Sequence, residues 1–211
     1  MFIRNESFSQ YIRMYPVISA LIALNVLIFL LGFLPVIGDR IILFGIGYNA
    51  AIADGEYWRF ITPVFLHAGF MHLLFNMFSL FLFGPELERL TGKVRFLTIY
   101  LIAGIFGSFA TFFLHPPAYT HVGASGAIFG IFGAFGALLY YGGRALPQLR
   151  QILLPILVIS VIMTFLTPNV NATAHIAGLL AGFLLGLSYF HPKRIVSWKK
   201  KSGNRNIRRI K

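Results

Sequence analysis

Apolar residues in this chain gather into long blocks instead of alternating with polar ones, and the polar residues collect between the blocks. The blocks cover 16–35, 70–84, 94–114, 123–141, 152–166 and 173–190. An apolar helix needs about 20 residues to cross a bilayer's hydrocarbon, so the pattern predicts an all-α membrane protein with six transmembrane helices. In the fourth block Gly123, Gly126, Gly130 and Gly133 recur at three- and four-residue spacing. Gly178, Gly182 and Gly186 recur at fourfold spacing in the sixth. On helices each set forms a bare stripe, and two such stripes let backbones approach closely. Helices four and six are therefore expected to touch along their small residues, bringing Ser125 against His175.

The connection 38–69 is long and apolar, with Ile41, Ile42, Leu43 and Phe44 and the cluster Tyr57-Trp58-Arg59-Phe60. It is expected to lie in the membrane interface between helices 1 and 2, with Tyr57 and Trp58 at headgroup level. The other connections are short: a charged turn holding Glu86, Glu88, Arg89, Lys93 and Arg95, the Pro116-Pro117 linker, a polar turn at 142–151 and a loop at 167–172. The resulting division is an N-terminal segment 1–15, a six-helix core 16–190 and a basic tail 191–211. The first block lacks the short apolar region and small-residue cleavage site of a signal peptide and reads as a retained helix.

Composition agrees with a single compact membrane domain. The 211 residues are 57% hydrophobic and 11% charged, with mean hydropathy +0.77, against roughly a quarter charged in soluble domains. The absence of cysteine excludes disulfides, thiolate catalysis and cysteine-ligated metals. A net charge of +12 raises nucleic acid as a partner, but half of the 18 Lys and Arg follow Tyr189, from Lys193 and Arg194 to Lys211. A basic run directly after an apolar block marks the cytoplasmic side and its anionic lipids, so the partner is the bilayer and no nucleic acid is expected. The same bias puts Arg4, Arg13, Arg89, Lys93, Arg95, Arg144, Arg150 and the tail inside, and only Arg40 and Arg59 outside. Both termini are then cytoplasmic.

In that topology spans two, four and six run inward from the outer surface. Each carries polar residues in its first two turns: His72 and Asn76, Ser125, and His175. Spans one, three and five are read as carrying no such set. A serine hydroxyl becomes a nucleophile when a neighbouring neutral histidine takes its proton. The oxyanion formed in acyl transfer needs donors, which His72 and Asn76, one turn apart, are placed to supply with the backbone N–H of Ser125 at a helix start. No Asp or Glu lies in the outer halves of these spans, so the expected arrangement is a Ser-His dyad whose imidazole is oriented by packing against Phe129. Taken singly, each feature has a plainer explanation: glycine stripes pack helices, a membrane serine bonds its own backbone, and a histidine tethers helices. Their coincidence at one depth favours chemistry. Trp58-Arg59 reads as an interfacial anchor, and Glu86, Glu88, Asp39, Asp54 and Glu56 as solvated or turn-stabilising. His67, His115, His121 and His191 are assigned no catalytic role.

GASG at 123–126 followed by Phe129, AHxxG at 174–178, HxxxN at 72–76 and Trp58-Arg59 resemble the rhomboid intramembrane serine proteases, as do Leu87-Glu88 and Gly92. The resemblance covers about 16–190. It implies Ser125 as nucleophile and His175 as general base, with His72, Asn76 and Gly123 supporting the oxyanion. It further implies a water-filled site below the outer surface, single-span membrane proteins as substrates entering near the fifth span and the 167–172 loop, and no cofactor. Many relatives have tyrosine where Phe129 stands, so stacking is kept and a phenolic hydrogen bond is not. The form expected is the minimal six-helix core, in a bacterial plasma membrane, with no oligomeric state specified. Two rival classes are an inactive rhomboid-like protein that binds membrane clients, against which Ser125 and His175 argue, and a small transporter, against which the apolar inner halves of spans two, four and six argue. A metalloprotease is disfavoured because HExxH is absent.

Overall fold

The computed structural model describes residues 5–142 and 147–192. The basic tail from Lys193 onward, Arg4 and Arg144 lie outside the described residues. The elements in order are α1 (Phe8–Met14), α2 (Pro16–Leu31), α3 (Ile37–Gly45), β1 (Gly47–Tyr48), α4 (Asn49–Ala53), two 3-10 turns (Tyr57–Phe60 and Thr62–Phe65), α5 (Phe70–Thr91), α6 (Lys93–Leu114), β2 (Thr120–His121), α7 (Ser125–Gly142), α8 (Pro147–Leu166) and α9 (Ala172–Tyr189). The two short strands pair antiparallel, Gly47 opposite His121.

This is an all-α membrane bundle. Five helices, α5 to α9, are long and apolar enough to cross a bilayer. The sixth is reached by α2 together with α1, which meets it at 110°; the 16 residues of α2 alone rise about 24 Å. The first span is thus shorter than the 16–35 block, and the segment before it is itself partly helical. A capping box between Ser7 and Gln10 starts α1, and Tyr11, stacked on Phe81 at 5.1 Å, presses it against α5.

The second span is longer than expected. Helix α5 does not stop at Gly84 but continues through Pro85 to Thr91, and the turn to α6 is a single residue, Gly92, at φ 81°. Glu86 and Glu88 are buried, not solvated. The Glu88 carboxylate accepts the backbone N–H groups of Val17 and Ile18 at 3.3 and 3.0 Å. A helix start leaves its first N–H groups without partners and carries partial positive charge, and the acid answers both. Glu86 pairs with Arg89 at 2.8 Å.

The 38–69 connection folds into α3, α4 and the two turns. Ile42, Leu43, Phe44, Tyr57 and Trp58 are exposed along it, an apolar surface suited to lipid. Arg59, expected to anchor at the interface, is buried instead. It donates to the carbonyls of Leu43 and Ile46 at 2.8 and 2.7 Å and pairs with Glu56 at 2.6 Å. The last carbonyls of α3 lack intrahelical donors, and the guanidinium supplies them.

At the centre, α7 packs on α9 and α6 through small residues. A Cβ on Gly178 would strike the backbone of Gly126, one on Gly182 the backbone of Gly130, and one on Gly133 the backbone of Leu179. Gly107 of α6 lets Ala174 O within 2.9 Å of where its Cβ would stand. The expected contact between the fourth and sixth spans is present. Helix α8 is the least enclosed of these five: of its residues only Leu149, Leu153 and Thr164 are buried, against eleven in α7.

Candidate active site

Three helix starts meet at one end of the bundle. Ser125 is the first residue of α7, so its N–H is among those with no intrahelical partner. The turn before it depends on Gly123, whose φ of 131° side chains rarely adopt. That residue also admits His72: a Cβ there would stand 2.7 Å from the ring's Nε2 and Cε1 and 3.6 Å from Ser125 Oγ. His175 lies in the first turn of α9, which Asn171 caps by accepting the N–H of Ala174 at 3.0 Å.

These residues open on one cavity of about 750 Å³, lined by His72, Asn76, Ser125, Phe129 and His175. Ser79, Ser160, His121 and the 167–171 loop also line it. His175 is buried, its ring stacked on Phe129 with centroids 4.1 Å apart and planes at 17°. Its Nδ1 is hydrogen-bonded to Thr164 Oγ1 of α8 at 2.8 Å, which leaves Nε2 as the only ring nitrogen available to Ser125. His72 Nδ1 accepts the N–H of Ala68 at 3.4 Å, so Nε2 carries the proton and is a donor. Asn76 gives one amide hydrogen to the carbonyl of His72 at 2.9 Å and keeps the second. All six residues singled out in the sequence, Gly123 included, therefore converge.

Three polar sets were missed. Spans one, three and five are not bare of buried polar groups: α2 has Asn25, α6 has Ser108 and Thr111, and α8 has Thr164. Thr111 Oγ1 accepts from Asn171 at 2.8 Å, and Ser108 bonds His121 Nε2 at 3.2 Å, so α6 steadies both the cap of α9 and the cavity wall. Thr164 was legible. It lies two residues before the C-terminal end of α8, as His175 lies three residues into α9, and the two stand at nearly the same level. Among the described residues no group of three or more His, Cys, Asp or Glu is arranged to hold a metal.

Two loop histidines bear on stability. Burial, helped by the neighbouring His72, pushes the His67 ring down to about 3. Burial and His115 push His121 down to about 4. An unfolded chain would protonate both near 6.5. As pH falls from 6.5 towards 4 the unfolded state takes up protons that the folded state refuses, so the stability these neutral rings carry above 6.5 is lost. The melting temperature in detergent is expected to fall steadily from pH 7 to pH 4; a flat profile would contradict this assignment.

Residues 54–192 match the model of the rhomboid domain, and the chain belongs to the rhomboid family. It is 45% identical over 189 residues to YdcA of Bacillus subtilis, provisionally named a rhomboid protease, covering 88% of this chain and 94% of that one. It is 41% identical over 181 residues to the rhomboid protease GluP of the same organism, covering 82% of this chain and 34% of the relative. RHOMBOID-like protein 5 of Arabidopsis thaliana is 37% identical over 158 residues, 68% of this chain and 50% of its own.

Proposed function

We propose that this protein is an intramembrane serine endopeptidase that cleaves single-span membrane proteins in or near their transmembrane segments through a Ser125–His175 dyad. The observation that carries the reading is the shared cavity: Ser125 and His175 face it together, with His72 and Asn76 beside them. Family membership and the protease names of YdcA and GluP support it.

In this mechanism Ser125 Oγ attacks the scissile carbonyl carbon while His175 Nε2 takes the hydroxyl proton. The oxyanion is met by the Ser125 N–H, the His72 Nε2–H and the second amide hydrogen of Asn76. The imidazolium returns its proton to the leaving amine, and water, activated by the same base, releases the acyl group. Helical peptide bonds are shielded, so substrates should carry helix-loosening Gly or Pro near the cleavage point. No cofactor enters these steps. Both termini are assigned to the cytoplasm and the cavity to the outer side of a bacterial plasma membrane, on the Lys and Arg bias of the connections.

The test is fluorophosphonate labelling of the purified protein with the adduct mapped by mass spectrometry. Modification at Ser125 is expected, and a protein that stays unlabelled and leaves a single-span substrate intact overturns the reading in favour of client binding. Asn76→Ala removes one of several donors and is expected to lower kcat by about a hundredfold or somewhat less with KM little changed. Unaltered kcat would remove Asn76 from the oxyanion site.

A further inference from the structure

We infer that Thr164 is a positioning residue for the base: it fixes the proton of His175 on Nδ1 and so keeps Nε2 free to accept the proton of Ser125. The inference rests on the proteolytic reading for its consequence in catalysis, but its geometry stands apart from it. Thr164 is buried in α8. Its hydroxyl lies 2.8 Å from His175 Nδ1 and donates to the carbonyl of Ser160 at 2.9 Å.

A hydroxyl has one proton to give. The Ser160 carbonyl can only accept, so the Thr164 proton goes to it and Thr164 Oγ1 is left to accept. The imidazole must then be the donor at Nδ1, which makes Nε2 the bare nitrogen. The chain of two bonds, Nδ1–H to Oγ1 and Oγ–H to the helix carbonyl, does for this base what a buried carboxylate does in a triad, namely hold the tautomer and the ring angle. It does so without a charge, which suits an apolar setting where an unpaired carboxylate is costly. The face of the ring is fixed separately, by Phe129. Thr164 thus completes the placement, and it does so from a third helix. The nucleophile is on α7, the base on α9, and the group that sets the base's proton on α8, the span held least by its neighbours.

Thr164→Val keeps the branched shape and removes the hydroxyl; Thr164→Ser restores it. The two variants are compared with wild type for kcat and KM on a single-span substrate, for thermal stability, and for the His175 imidazole ¹⁵N signals, assigned by their loss in His175→Asn. Wild type and Thr164→Ser are expected to show one neutral tautomer with the proton on Nδ1. Thr164→Val is expected to show a tautomer mixture and a kcat lowered about tenfold, the scale of one neutral hydrogen bond, with KM unchanged. A Thr164→Val protein with kcat within about twofold of wild type, or with the single tautomer intact, overturns the inference, as does a Thr164→Ser protein as impaired as Thr164→Val. If wild type neither cleaves substrate nor reacts with a fluorophosphonate, the proteolytic reading fails on its own. The ¹⁵N comparison then decides the role of Thr164: loss of the single tautomer in Thr164→Val sustains it and retention overturns it.

Discussion

Ser125→Ala is expected to abolish cleavage of a single-span substrate and all fluorophosphonate labelling while leaving the thermal transition in place. The hydroxyl lines a cavity and is not part of the packed core, so its removal should cost little stability. In the proposed mechanism its loss removes the atom that forms the acyl-enzyme, and the expected fall in kcat is about 10⁴-fold or more, over 5 kcal/mol of barrier. His175→Ala should fall as far, because a nucleophile without its base is as idle as a base without its nucleophile. The double variant should be no worse than either, since members of one unit are not additive. Measuring the three variants beside wild type in one gel-based assay tests this, and full turnover by Ser125→Ala would end the assignment of Ser125 as nucleophile.

Gly178→Val should damage fold and activity together. A Cβ at Gly178 would collide with the oxygen, carbon and Cα of Gly126. These are backbone atoms of α7, so no rotamer change relieves them, and the helices must part. Overpacking of this kind costs about 3 kcal/mol or more. Gly126 is adjacent to Ser125 and Gly178 is one turn beyond His175, so the parting occurs beside the two groups of the proposed dyad, where a shift of about 1 Å can cost 10²-fold in rate. Gly136→Ala is the control, because a Cβ there would meet Phe183 at an ordinary 3.5 Å. A lowered melting temperature and lost activity in Gly178→Val, with both kept in Gly136→Ala, are expected. Wild-type behaviour in Gly178→Val would mean that α7 and α9 are not held at this distance.

How much of the molecule was readable beforehand depends on the range of the forces involved. Block length alone announced α6, α7 and α9, because crossing hydrocarbon demands apolar length whatever the neighbours do. The glycine spacing announced the α7–α9 contact, because small residues three and four apart leave a groove on any helix. Glu88 and Arg59 were misread for a common reason. In one dimension the acid looks solvated or turn-stabilising and the guanidinium an interfacial anchor, whereas in space each serves the unpaired backbone of another helix end, α2 for Glu88 and α3 for Arg59. The second block was expected to end at Gly84, whereas α5 runs on through Pro85 to Thr91 and buries Leu87, Glu88 and Thr91 beyond it.

The sequence by itself determined a membrane bundle with Ser125, His72, Asn76 and His175 at one depth, because hydrophobic length and helical period are local properties that survive in any packing. Only the tertiary structure decided which ring nitrogen of His175 is free, that Thr164 holds the other, and that the buried carboxylate of Glu88 belongs to the start of α2. Those outcomes hang on hydrogen-bond directions between chain segments 11 to 71 residues apart. A hydrogen bond is set by angles and by separations of about 3 Å, and these exist only once the helices have been brought together.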